Sequence, residues 1–266
     1  MAIERTRAPV KETPLTTAFV PDRKSAQIAT ASRDFTAQLI DERSGTTLIV
    51  GTPRSVPDVW VDYLDGARKS YAKHGVEMAL EYDDVVRGDC TTLFYAALDH
   101  TGSVIGGVRA KGPYTSAIQS HALLEWAGQP GLEMVIDAID SRVAEGVVEM
   151  KTAWAADGPA AAAVAGMLAR VALPTMTLTG ARYIMATAAD HVLRRWESSG
   201  GRVAEDIPAS PYPDARYQTT LMWWDRNRIA LDAKPKVLAH MVQDTQILAA
   251  GATQRDWSST NGVVAA

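Results

Sequence analysis

Apolar and polar positions along the chain change period often enough to divide it into elements. Residues 1–45 are polar and weakly periodic: 25–39 carries a helical pattern, and the rest reads as a tail. Residues 46–50 are a β-branched run and read as the first strand. Val56, Val59, Trp60, Tyr63, Leu64, Ala67 and Tyr71 then recur at helical spacing, which gives one helix an apolar face. Ser55, with Asp58 three residues on, is the expected N-cap, and Gly75 the expected stop. Strand-like runs at 91–98 and 103–110 flank Asp99-His100-Thr101-Gly102, the composition of a hairpin turn. Residues 114–142 read as a helical insertion broken at Gly128-Gln129-Pro130-Gly131. In 147–155, alternation puts Val148, Met150, Thr152 and Trp154 on one face and Val147, Glu149, Lys151 and Ala153 on the other. Asp157-Gly158-Pro159-Ala160 ends that strand. The Ala-rich stretch 160–173 is the next helix, with Pro159 at its first turn. A strand at 183–188 and a helix at 190–199 follow, then a loop at 208–213 and a last strand at 217–224. A C-terminal helix covers 228–250, interrupted or begun at Pro235.

This order predicts an α/β (α+β) chain. Its sheet is mixed and mostly antiparallel, with a central parallel pair, because a strand–helix–strand crossover spans 147–188. The expected domain is 46–228, between a polar extension at 1–45 and a C-terminal helix and tail at 229–266. A net charge of −4 gives no electrostatic case for nucleic acid. The single cysteine, Cys90, excludes an internal disulfide framework and a multi-cysteine metal site, and is expected buried and inert. No uninterrupted apolar run approaches the ~20 residues that span a bilayer. The first residues, Met-Ala-Ile-Glu-Arg-Thr-Arg, lack the apolar core of a signal peptide, so the cytoplasm is the expected location. A doubly wound nucleotide fold is disfavoured, since no Gly-x-Gly-x-x-Gly follows the first strand.

The turn at 155–160 leads into a helix whose free N–H groups and positive dipole end attract phosphate. The strand, turn and helix together resemble the acyl-CoA-binding core of GNAT-type N-acyltransferases. In that family a strand carries a carboxylate and splays from its neighbour, and a Gln/Arg-x-x-Gly-x-Gly/Ala turn grips the pyrophosphate. Here Gly158 and Ala160 fit the turn, Ala155 stands at its leading position, Pro159 removes one N–H donor, and Asp157 adds a negative charge. The resemblance implies an acyl-CoA or acyl-carrier-protein thioester as co-substrate and no metal. It also implies a small-molecule amine acceptor and leaves room for a carrier-protein partner or a homodimer. Glu81-Tyr82-Asp83-Asp84, Gly106-Gly107-Val108-Arg109 and then Glu149 are similar in order to the N-acyl amino acid synthase and autoinducer-synthase subgroup. That pattern also asks for Arg-Leu after the Gly and an Arg three residues after the Glu, where this chain has Ala110 and Thr152.

The resemblance implies roles residue by residue. Glu149 would take a proton from the amine, with burial raising its pKa; the other reading is a salt bridge to Lys151 or Arg109. Arg109 would hold a substrate carboxylate, or else pair with Asp83, Asp84 or Glu149. Asp83 and Asp84 would bind the substrate amine, or be solvated loop residues. Trp154 and Ala155 would meet the pantetheine and thioester, with core packing as the alternative for Trp154. Gly158, Ala160 and Ala161 would hold phosphate. His191 is a base or a surface histidine, and Trp223-Trp224 is sheet packing. The family places a thiolate-protonating Tyr where this chain has Trp196, so Tyr183, Tyr212, Tyr217 or water would serve. The expected function is acyl transfer from a thioester to an amine. A degenerate, non-catalytic ligand- or protein-binding domain and an S-adenosylmethionine-consuming synthase are the alternatives.

Overall fold

The computed structural model describes residues 34–258, with side chains to residue 252. In chain order the elements are β1 (Thr36–Asp41), β2 (Thr46–Gly51), α1 (Pro57–His74), α2 (Tyr82–Val85), β3 (Leu93–Leu98), β4 (Val104–Lys111), α3 (Ala122–Glu125), α4 (Leu132–Asp140), β5 (Val147–Ala155), α5 (Ala161–Leu168), α6 (Ala172–Thr179), β6 (Tyr183–Ala189), α7 (Leu193–Ser198), β7 (Arg202–Val203), β8 (Thr219–Asp225), α8 (Ile229–Asp232) and α9 (Pro235–Ser258). The strands form one sheet in the order β1-β2-β3-β4-β5-β6-β8-β7. Only β5 and β6 pair in parallel; the other neighbours are antiparallel. The fold is therefore the mixed, mostly antiparallel α/β sheet expected from the sequence.

Several elements depart from expectation for identifiable reasons. The helix expected at 25–39 is contradicted where it is described: β1 begins at Thr36, and 25–33 lies outside the described residues. Ala37 and Leu39 are buried while Gln38 and Ile40 are exposed, a two-residue period that only a strand satisfies. Ser55 does not cap α1; its hydroxyl donates to Phe35 O at 2.6 Å and accepts from Thr52 N at 2.9 Å, and Pro57 opens the helix instead. The Ala-rich helix stops at Leu168, and α6 leaves at 41° to α5. Pro174 lacks an N–H, and its ring would strike the carbonyl four residues earlier, so one continuous helix cannot run through it. Gly75, the 99–102 turn and the 128–131 break all fall where expected.

Two layers of helices cover the sheet. On one face α5, α6 and α9 bury Leu48, Tyr95, Val108, Met150, Ile184 and Met222. On the other, α1 packs Trp60, Tyr63 and Leu64 against Phe94 and Ala96. Beside it, the insertion packs Trp126, Val135 and Ile139 against Val147, Met185 and Leu221. Among the described residues no single helix is long and apolar enough to cross a membrane.

β5 does not keep its alternation. Arg109 faces Lys151, but Gly107 faces Trp154, so three residues of β5 span two of β4. This is a bulge, and Thr152 carries its strain at φ 57°. The extra residue reverses the pleat beyond it. Trp154 therefore leaves the face of Val148 and Met150 and joins the α1 cluster, stacked on Tyr63 with ring centroids 6.4 Å apart. The sequence expectation that these three share a face is corrected here.

Candidate active site

β5 and β6 pair from Val147↔Tyr183 to Met150↔Ala186 and then part. Beyond that point β5 stays with β4, and Thr187, Ala188 and Ala189 of β6 stay with β8. The bulge at Thr152 lies at the same point, and a bulged strand bends locally. The β6-facing backbone edge of β5 from residue 151 to 155 is thus left outside the ladder, at the centre of the sheet.

Glu149 stands just before this fork and is fully buried. Its Oε2 accepts from the Tyr114 hydroxyl and from the backbone N–H of His121, the latter at 3.0 Å. Its Oε1 has no partner among the described residues. Burial alone would raise this carboxyl; Lys151, Lys111 and His121 outweigh it, and the Tyr114 hydroxyl adds to them, so the group sits below its ordinary value. The expectation of a raised pKa is corrected by this balance. Tyr114 is pushed well above its ordinary value by burial and by the Glu149 charge, and stays a donor.

A second buried set joins Glu149 at the fork. The His121 ring lies between Glu81 Oε2, 2.9 Å from Nδ1, and Glu125 Oε1, 3.5 Å from Nε2. Tyr212 OH is 3.3 Å from the same Nε2, and burial followed by the Glu125 charge pushes that phenol up to about 12. Lys151 Nζ bonds Glu125 Oε1 and reaches Thr187 Oγ1 at 3.3 Å. Burial would lower this ammonium, but Glu125 and Glu149 raise it. Neither salt bridge considered for Glu149 is formed; Lys151 pairs with Glu125 instead.

Sequence reasoning missed Tyr114, His121, Glu125 and Thr187, and it saw Lys151 only as a partner for Glu149. The His121-x-x-x-Glu125 spacing was a readable signal, since residues four apart share a helix face. Tyr114 carried none.

Arg109 is buried on β4. Its Nε donates to Thr152 Oγ1 at 3.3 Å and its Nη1 to Cys90 Sγ at 3.9 Å. Among the described residues it forms no ion pair. Cys90 is half-buried rather than enclosed, because it lines a cleft of about 570 Å³ with Trp60, Arg87 and Thr91. Asp83 and Asp84 lie exposed on α2.

A second cleft, of about 490 Å³, opens where β5 ends. Lys69, Lys73 and His74 of α1 line it opposite Trp154, Ala155 and Asp157. Asp157 pairs with Lys73, so its charge is offset. At the turn, Ala161 N already donates to Gly158 O at 3.1 Å. The N–H groups of Gly158, Ala160, Ala162 and Ala163 donate to no described residue. Glu149 lines neither cleft.

The other candidate residues lie apart from the fork. Tyr183 begins β6 at its paired end, packed on Trp223 and under the Arg142 and Arg182 guanidinium groups. Tyr217 precedes β8 beside Arg216. His191 is exposed and pairs with Asp190 at 3.7 Å. Trp196 packs edge-on against Trp224, and Trp223 and Trp224 fill opposite faces of the sheet.

No protein-family model matches the chain. It is 46% identical over 202 residues to the uncharacterized protein Rv1356c of Mycobacterium tuberculosis (strain ATCC 25618 / H37Rv), covering 76% of this chain and 77% of that one. The same identity and coverage relate it to the uncharacterized protein Mb1391c of Mycobacterium bovis. Similar solved structures include the N-acyl amino acid synthase FeeM from uncultured soil microbes, at a TM-score of 0.48 and 10% identity over 76% of this chain and 94% of that one. A CoA-dependent acyl-homoserine lactone synthase, BjaI, has a TM-score of 0.49 and 13% identity over 81% and 90%. An aminoglycoside 6'-acetyltransferase type Ii has a TM-score of 0.43 and 13% identity over 65% and 93%.

Proposed function

Because the chain belongs to one family with these uncharacterized mycobacterial proteins, we propose its activity from its own geometry: acyl transfer from a thioester to an amine. The observation that carries this reading is the parting of β5 and β6 directly after Glu149 and Met150. An extended thioester arm lying along the open edge of β5 would find unpaired backbone groups there, as a further strand would. The donor is a thioester of CoA or of an acyl carrier protein.

The roles follow from the site. The free N–H groups of Gly158, Ala160, Ala162 and Ala163 take phosphate, with Lys69 and Lys73 adding positive charge. Ala161 drops from the expected set because its N–H is already used. Backbone beside Trp154 and Ala155 polarises the thioester carbonyl. Glu149 accepts the amine's proton as an ionised carboxylate. It has no exposed surface, so the proton crosses an intervening water or the Tyr114 hydroxyl. Arg109 orients an acceptor carboxylate, and Asp83 and Asp84 meet the acceptor at the surface.

The test is thermal stability against CoA, acetyl-CoA, long-chain acyl-CoAs and S-adenosylmethionine, followed by thiol release with an amine panel. A ligand that binds only the folded state raises the melting temperature. The reading expects a rise with acyl-CoA or acyl carrier protein, and turnover that Glu149→Gln lowers by about 10²–10⁴. Binding without turnover would favour the non-catalytic alternative. A response to S-adenosylmethionine alone would favour the synthase.

A further inference from the structure

Where β5 and β6 lose their backbone pairing, one side chain takes over the connection. Met150↔Ala186 is the last pair, and the next residue on each strand is Lys151 and Thr187. Lys151 Nζ reaches Thr187 Oγ1 at 3.3 Å, so an ammonium bridges the mouth of the fork. The same nitrogen bonds Glu125 Oε1, and its remaining N–H has no partner among the described residues. The side chain keeps 11% of its surface, while Glu149, two residues earlier on the same face, keeps none. Trp196, at the position where a thiolate-protonating Tyr was expected, is packed on Trp224 and has no hydroxyl.

We propose that Lys151 is the group that stabilises the departing sulfur. The assignment rests on the acyltransferase reading above and deepens it. The amine nitrogen forms a bond to the thioester carbonyl carbon, and the C–S bond breaks with its electron pair on sulfur. The amine's proton goes to the Glu149 carboxylate and then to solvent, and the free ammonium N–H of Lys151 meets the thiolate. Lys151 acts here as a fixed charge rather than a proton source, because its carboxylate neighbours keep it protonated. Glu125 fixes the ammonium and Thr187 aims it, so both are positioning residues.

The experiment compares two donors with different leaving groups, octanoyl-CoA and thiophenyl octanoate, with hydroxylamine and glycine as acceptors and thiol release as readout. A thiophenolate needs little stabilisation and an alkyl thiolate needs much. Lys151→Met is expected to slow the CoA ester by about 10²-fold or more and the thiophenyl ester by less than about 10-fold. Removing Lys151 takes the ammonium away from the buried Glu125 carboxylate, so Lys151→Met with Glu125→Gln is measured beside it. An equal loss on both esters in the folded double variant would overturn the assignment. No thiol release by the wild-type chain with either ester or with an octanoyl acyl carrier protein would overturn the acyltransferase reading itself, and this assignment with it.

Discussion

Glu149 and His121 are joined by one hydrogen bond, from the His121 backbone N–H to Glu149 Oε2 at 3.0 Å. The bond fastens the insertion to the central strand, and with the Tyr114 hydroxyl it loads one oxygen of the carboxylate while leaving the other free. A base held this way is oriented before any substrate arrives, and its charge is stabilised by groups that fold around it.

The first consequence is a pH dependence of stability. Glu149 titrates lower in the folded chain than its ordinary value, because Lys151, Lys111 and His121 outweigh the effect of burial. Its stabilisation is therefore complete above the unfolded value and lost as pH falls through the folded one. The stability gap between wild type and Glu149→Gln, from urea unfolding, is expected to be level above about pH 5 and to shrink below about pH 4. Lys151 is raised, so its contribution is expected to be level below its ordinary value and lost in alkali beyond it. A gap that widens in acid would contradict the assignment of Glu149.

Tyr114→Phe removes the hydroxyl from Glu149 Oε2 and leaves the ring packed. Hydrogen bonds to charged groups contribute about 1.5–3 kcal/mol, so a loss of that size is expected in urea unfolding. Glu149 should also titrate higher in the variant, because the hydroxyl is one of the groups that lower it. Carboxyl NMR titration would read that shift.

Gly66 on α1 tests the position of Trp154. A Cβ there would lie 2.1 Å from the indole. Alanine in a helix interior normally gains about 0.5–1 kcal/mol over glycine. Forcing a rigid indole aside costs about 1–3 kcal/mol. Gly66→Ala is therefore expected to destabilise by about 1–2 kcal/mol and to alter tryptophan fluorescence. A stabilised variant would mean that Trp154 moves freely.

Asp157→Asn addresses the phosphate turn. Asp157 and Lys73 form an exposed pair, and such pairs add little to stability. The melting temperature should stay unchanged. Acyl-CoA affinity should rise about several-fold at low salt and converge with wild type near 1 M salt, where charges are screened beyond ~3 Å. Equal affinities at low salt would place the phosphates elsewhere.

The chain's own pattern determined the α1 face, the 99–102 turn and the parallel pair, because each depends on periodicity or turn chemistry within a few residues; it did not give β1, read as a helix, or the break between α5 and α6. The place of Glu149 was also legible, as a carboxylate on the strand that leads into the 155–160 turn. The tertiary structure decided the rest. The bulge at Thr152 moved Trp154 across the sheet, since a single extra residue reverses the pleat and the gain comes from packing on Tyr63. The Lys151–Glu125 pair and the bridge to Thr187 join side chains 26 and 36 residues apart in sequence, and the Tyr114–Glu149 bond joins side chains 35 apart. No local pattern encodes such contacts; they exist because the sheet places β6 and the insertion on either side of the open edge of β5.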